Sequence, residues 1–112
     1  LGDVYKRQLM EEVLYLMAKT PNRITYGLDY VNIVASMGAV EKLLVLDEMI
    51  SHYNDSIRSR IDEIIRVVES SRGEITIFSS HSEPGKMLKG FGGVVAILRY
   101  ELDLENITDQ KR

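Results

Sequence analysis

Two stretches of the chain are apolar almost without a break: residues 42–47 (KLLVLD) and residues 94–100 (VVAILRY). Runs of this length with no alternation predict strands buried on both faces. Around them the spacing is helical. Leu9, Met10, Val13, Leu14 and Met17 share one face, and Pro21 and Asn22 stop that helix. Residues 24–26 (ITY) are β-prone and Gly27 follows as a turn. Tyr30, Val31, Val34 and Ala35 line a second helix, with Gly38 in the left-handed position that closes it. The polar stretch 51–56 (SHYNDS) offers Asn54, Asp55 and Ser56 as N-caps for a third helix bearing Ile57, Ile61, Ile64, Ile65 and Val68. Gly73 ends it, and residues 74–78 (EITIF) alternate as a strand. Ser82, Glu83 and Pro84 start a short helix with Met87, Leu88 and Phe91 on its apolar face, broken by Gly92 and Gly93. The predicted order is α, β, α, β, α, β, α, β. It implies an α/β fold, a three-layer α/β/α sandwich around a mixed central sheet.

Length supports one domain, since 112 residues can bury about two-thirds of their unfolded surface. Residues 9–102 form that domain and residues 103–112 a polar tail. Residues 1–8 (LGDVYKRQ) resemble a translated sequencing adapter, so we read them as a non-native leader. Leu1 is not methionine, and the chain reads as a piece of a longer protein. The net charge of −3 lacks the Lys and Arg excess with which nucleic-acid modules neutralise phosphate. No cysteine is present, which removes disulfides, thiolate catalysis and Cys-based zinc sites. No apolar run reaches the ~18 residues of a membrane span.

Candidate chemistry is sparse. His52 and His81 stand 29 positions apart, without metalloprotease spacing, and no metal or cofactor site is expected. Ser79, Ser80, His81, Ser82 and Glu83 combine nucleophile, base and acid types. Consecutive residues diverge, however, and helix capping explains Ser82 and Glu83 more simply. Gly85-Lys86 lacks the rest of a phosphate loop, and Gly90 to Gly93 follows a helix rather than a strand. No catalytic residue is assigned. Asp47 and Glu48 close the first buried run, where α/β proteins often place function.

Three stretches read together as a family signature. They are Tyr26-Gly27-Leu28-Asp29-Tyr30-Val31, the run from Met37-Gly38-Ala39-Val40 to Asp47, and His81-Ser82-Glu83-Pro84-Gly85 continuing through Gly92-Gly93 to Ala96-Ile97-Leu98-Arg99-Tyr100. This pattern resembles the third domain shared by Pelota-type ribosome rescue factors and the eukaryal and archaeal class I peptide chain release factors. The segment 81–85, and the absence of a cysteine-bearing insertion before residue 74, resemble the archaeal Pelota branch. A release-factor third domain, serving translation termination, is the alternative.

The resemblance implies a docking domain in ribosome rescue, mRNA surveillance and ribosome recycling. Its partners would be an elongation-factor-like translational GTPase, an ABC-type ribosome-splitting ATPase and, through the whole factor, the ribosome in the cytoplasm. His81, Glu83, Pro84, Gly85, Arg99 and Tyr100 are the expected contact residues; Tyr26, Gly27, Gly38, Ala39, Val40, Asp47, Gly92 and Gly93 are expected to serve the fold. The family's fold is related to kink-turn-binding ribosomal proteins, whose Gly-x-Asn-Glu and following Lys contact RNA. Here Gly27-Leu28-Asp29-Tyr30 and Ile33 stand at those positions, so autonomous RNA binding is not expected.

Overall fold

The computed structural model describes residues 2–51 and 55–104; His52 and Asn54 lie outside them. At its centre is β4 (Val94–Leu98), whose five side chains are all fully buried. It lies between β1 (Ile24–Tyr26) and β2 (Val40–Leu46), antiparallel to both, and β3 (Glu74–Phe78) adds to β2 in parallel. The mixed sheet therefore has the order β1-β4-β2-β3.

Two helical layers cover the sheet. One holds α1 (Gly2–Lys19) and α5 (Glu83–Gly90), packed on each other. The other holds α2 (Leu28–Ser36), the single turn α3 (Glu48–Ser51) and α4 (Asp55–Ser70). Tyr5 and Glu12 of α1 bond Glu74 and Lys42, so the pleat turns residues 42, 44, 46, 74, 76 and 78 toward α1 and α5. Leu43, Val45, Ile75 and Ile77 point to the other side. The two apolar runs of the sequence are thus the two central strands, with ends shifted by local chemistry. β2 starts two residues before its run because Glu41 forms a bulge against β4, between the Val40–Leu98 and Lys42–Ile97 pairs. Arg23 ties that bulge down, donating to the Leu98 carbonyl from Nε (3.1 Å) and Nη2 (2.7 Å) and from Nη2 to Glu41 Oε1 (3.2 Å).

Elsewhere the periodicity was wider than the core. Leu9, Met10 and Val13 are buried, but Leu16 completes the buried face of α1 while Leu14 stays 43% exposed. Tyr30, assigned to the core face of α2, is exposed. Residues 2–8 form the first turns of α1, all exposed except half-buried Lys6.

The C-termini of α2 and α4 close in the same way with different residues. After α2, Gly38 (φ 69°) donates to Ala35 O and Ala39 donates to Val34 O, a Schellman closure. After α4 the left-handed residue is Arg72 (φ 67°), and Gly73 makes the outer bond to Val68 O. Gly73 therefore does not supply the left-handed position. Steric room requires it: a Cβ there would lie 2.5 Å from Val68 Cγ1 and 2.8 Å from Val40 O.

Leu44→Ala or Ile97→Ala should each cost ~2–5 kcal/mol by denaturant unfolding, because both side chains are fully out of water. A loss below ~0.5 kcal/mol would contradict that placement. Arg72→Gly should stabilise the domain by about 1 kcal/mol, since it relieves a left-handed conformation that a Cβ disfavours. Alkaline pH should act on the α1 anchors. The hydrogen bond to Glu74 raises the Tyr5 pKa, and the hydrogen bond to Glu12 raises that of Lys42. Both protonated forms are favoured by folding, so their contribution is complete below pH ~10 and fades as pH rises further. Tyr5→Phe should flatten the fall in Tm between about pH 9 and 11; an unchanged slope would exclude a role for the Tyr5 bond.

Candidate docking site

The signature segment after β3 spends its polar groups on its own turn. Ser82 caps α5, its Oγ accepting from Gly85 N (3.1 Å) and donating to Ser79 O (2.8 Å). The backbone N–H of Ser82 also donates to Ser79 O (3.1 Å), and His81 N donates to Ser79 Oγ (3.2 Å). Asp47 Oδ1 accepts from Ser80 N (3.1 Å), tying the loop to the end of β2. Gly85 sits with the Ser79 carbonyl against it; an ideal Cβ there would lie 1.7 Å from that oxygen. Gly85 thus serves close backbone packing, and the buried Pro84 shapes the first helical turn. Only His81 and Glu83 of this segment are exposed.

Arg99 and Tyr100 lie elsewhere. The Arg99 backbone N–H donates to Ala39 O at the start of β2, whereas Ser80 joins Asp47 beyond its far end. Seven strand residues, roughly 20 Å, separate the two groups along the sheet. The six expected contact residues are therefore not one cluster. Arg99 Nε donates to Gly38 O (3.2 Å) and its Nη2 donates to Ser71 O. One guanidinium thereby occupies the carbonyl ends of both α2 and α4, where a cation is favoured. Tyr100 is exposed beside it.

Among the residues assigned to the fold, Asp47 bridges the loops after β2 and β3, and Ala39 and Val40 are fully buried. Gly27, Gly92 and Gly93 all take positive φ. Gly93 also has Met49 against it, 3.1 Å from an ideal Cβ. Tyr26 departs from the expectation. It is exposed at the sheet edge, with its ring edge-to-face on Phe91 at 5.5 Å.

A groove of about 230 Å³ lies between α1 and α5, where the periodicity had assigned Leu14 and Met87 to core faces. Met10, Leu14, Pro84 and Met87 line it, with Arg7, Glu11 and Glu83 at its rim. Leu14 and Met87 are 43% and 41% exposed, so two helices leave apolar side chains in water side by side. Its volume is below that of most small-molecule pockets and suits one large apolar side chain. Glu83 and Pro84 link it to the signature segment. Among the described residues, no group of three or more His, Asp or Glu could hold a metal ion.

Residues 4–102 match the family described as eRF1 domain 3. The chain belongs to this family. Within it the likeness lies with the Pelota branch. The Pelota homologue of Hyperthermus butylicus is 40% identical over 105 residues, which is 94% of this chain and 29% of that protein. Ribosome-bound archaeal Pelota, solved with ABCE1, superposes at a TM-score of 0.78 with 37% identity, over 91% of this chain and 28% of that one. Dom34 of S. cerevisiae, described as a translation termination-like factor interacting with Hbs1, gives 0.84 and 27%, over 88% and 28%. The archaeal termination factor aRF1 gives 0.66 and 28%, over 85% and 25%. The chain spans under a third of the length of these relatives.

Arg99→Ala should lower stability by about 1–2 kcal/mol, because it strips two helix ends of a charged donor. Hydrogen exchange should quicken at the last turns of α2 and α4 together. A loosening confined to one helix would contradict the shared cap.

Proposed function

We propose that this chain is the partner-docking domain of a Pelota-like factor for rescue of stalled ribosomes. It binds an elongation-factor-like translational GTPase, and in the whole factor an ABC-type splitting ATPase, in the cytoplasm. The α1–α5 groove is the observation that carries the reading. It is an exposed apolar surface shared by two helices, of a size for a protein side chain, and it borders the signature segment. Family membership and the names of the relatives support the same reading.

On this reading the domain has no catalytic centre and needs no cofactor. The Ser79–Ser82 polar groups serve a turn and a cap, which leaves His81 and Glu83 as surface groups beside the docking face. Arg99 acts through the fold, and Tyr100 would touch a partner only at the opposite end of the sheet. The −3 charge disfavours RNA as the ligand. So does Asp29, which the Arg60 guanidinium engages at 2.6 Å.

Titration calorimetry of the chain with a purified archaeal elongation-factor-like GTPase tests this. Affinity should be modest, because other parts of the factor share the contact. Leu14→Glu or Met87→Glu should weaken it at least about tenfold, roughly 1.4 kcal/mol, with unchanged circular dichroism because both side chains are surface-exposed. Tight binding to a kink-turn RNA, without binding to the GTPase, would replace this reading.

A further inference from the structure

We propose that β3 is the contact through which two copies of this chain associate, antiparallel about a two-fold axis at Thr76, into one eight-stranded sheet. The two edges of the four-stranded sheet are treated differently. The β1 edge is only three residues long, and the chain returns past it: Leu102 N donates to Asn22 O (2.8 Å) and Leu104 lies beside Thr25 and Tyr26. The β3 edge has no such cover among the described residues. Phe78 O accepts from Asp47 N, so residues 74, 76 and 78 direct their backbone groups at β2. Ile75 and Ile77 therefore turn both N–H and both C=O groups outward.

Exposed edges are usually blunted by Lys, Pro, a bulge or brevity. Over its five residues β3 has neither Lys nor Pro, and its register with β2 is unbroken. Ile77 is 38% exposed, a large aliphatic residue in water where a gatekeeping charge would be expected.

Self-pairing fits this strand in one register. With Thr76 opposite Thr76 of the second copy, Ile75 faces Ile77 of the second copy and all four outward backbone groups find partners. Glu74, the only charged residue of the strand, then faces Phe78 of the second copy rather than another carboxylate. A centre at Ile75 or at Ile77 leaves strand residues unpaired. The contact is isologous, so it closes at two copies. It is also a single strand pair, the kind of small contact that associates weakly and reversibly, and we expect a Kd on the order of 10⁻⁵ to 10⁻³ M.

Sedimentation equilibrium of the 112-residue chain between about 10 μM and 1 mM should show reversible monomer–dimer exchange. Ile77→Lys should raise the apparent Kd at least about tenfold while circular dichroism stays native. The chain has no cysteine, so a single introduced thiol reports the register. Thr76 would form a non-hydrogen-bonded pair with Cα atoms ~4.5 Å apart, within disulfide reach. Thr76→Cys should therefore oxidise to a covalent dimer, while Ser70→Cys, exposed at the end of α4, should remain monomeric at the same concentration. A monomer throughout the range, a dimer indifferent to Ile77→Lys, or equal cross-linking by the two cysteine variants would overturn the proposal. GTPase binding at the α1–α5 groove is a separate measurement, and neither result decides the other.

Discussion

No side chain of β4 touches water, and the architecture follows from that constraint. A strand apolar on both faces cannot lie in a sheet with one solvated side, so helices must cover it front and back. It cannot lie at an edge either, and β1 and β2 flank it antiparallel. Each of its Val, Ile and Leu residues contributes on the order of 1.5–3 kcal/mol by leaving water. Val95 and Ile97 face α1 and α5, while Val94, Ala96 and Leu98 face α2 and α4. The strand thus joins two half-cores that have no other common element of the same burial.

The two helical layers are built differently. Arg99, directly after β4, closes α2 and α4 together, and the Arg60–Asp29 pair crosses the same two helices. Across the sheet, α1 and α5 meet through Met10, Leu14, Pro84 and Met87, and among the described residues no ion pair joins them. Methionine is unbranched and adapts its shape to a neighbour. The pinned layer fixes the sheet, and the apolar layer presents a surface that can accommodate a partner without disturbing it. The groove is therefore open where the fold has the least directional bonding to lose.

Strands were legible because burial on both faces writes an uninterrupted apolar run, as at 42–47 and 94–100, although the second strand itself stops at Leu98. The caps at Ser82 and Gly38 were legible because their chemistry is local. What failed was anything set by pairing across the chain. The Glu41 bulge depends on Arg23 reaching Leu98, and nothing near residue 41 signals it. Leu14 and Met87 occupy helical faces that look like core, yet α1 and α5 each carry more apolar positions than their contact can cover. That excess was the visible signal of the groove, though only the packing shows which residues are left over. Arg99 and Tyr100 were grouped with residues 81–85 because both stretches belong to one signature; seven residues of β2 lie between them. Shared membership in a motif reports descent, whereas adjacency requires a contact.

Position 29 illustrates the same distinction in chemical terms. By resemblance, an asparagine near this place in related folds reads a kink-turn RNA. Here Asp29 accepts from Arg60 Nη2, and both side chains remain solvated, so the pair contributes little to stability. Its consequence is electrostatic. A carboxylate in place of an amide repels phosphate, and the nearest guanidinium is already committed to it. Ile33, at the position of the contacting lysine, is half-buried and offers no charge. None of Asp29, Tyr30 and Ile33 supplies the Asn, Glu or Lys side chain that, by resemblance, contacts the RNA. Loss of that chemistry leaves the sandwich intact because none of these residues belongs to the core that β4 organises.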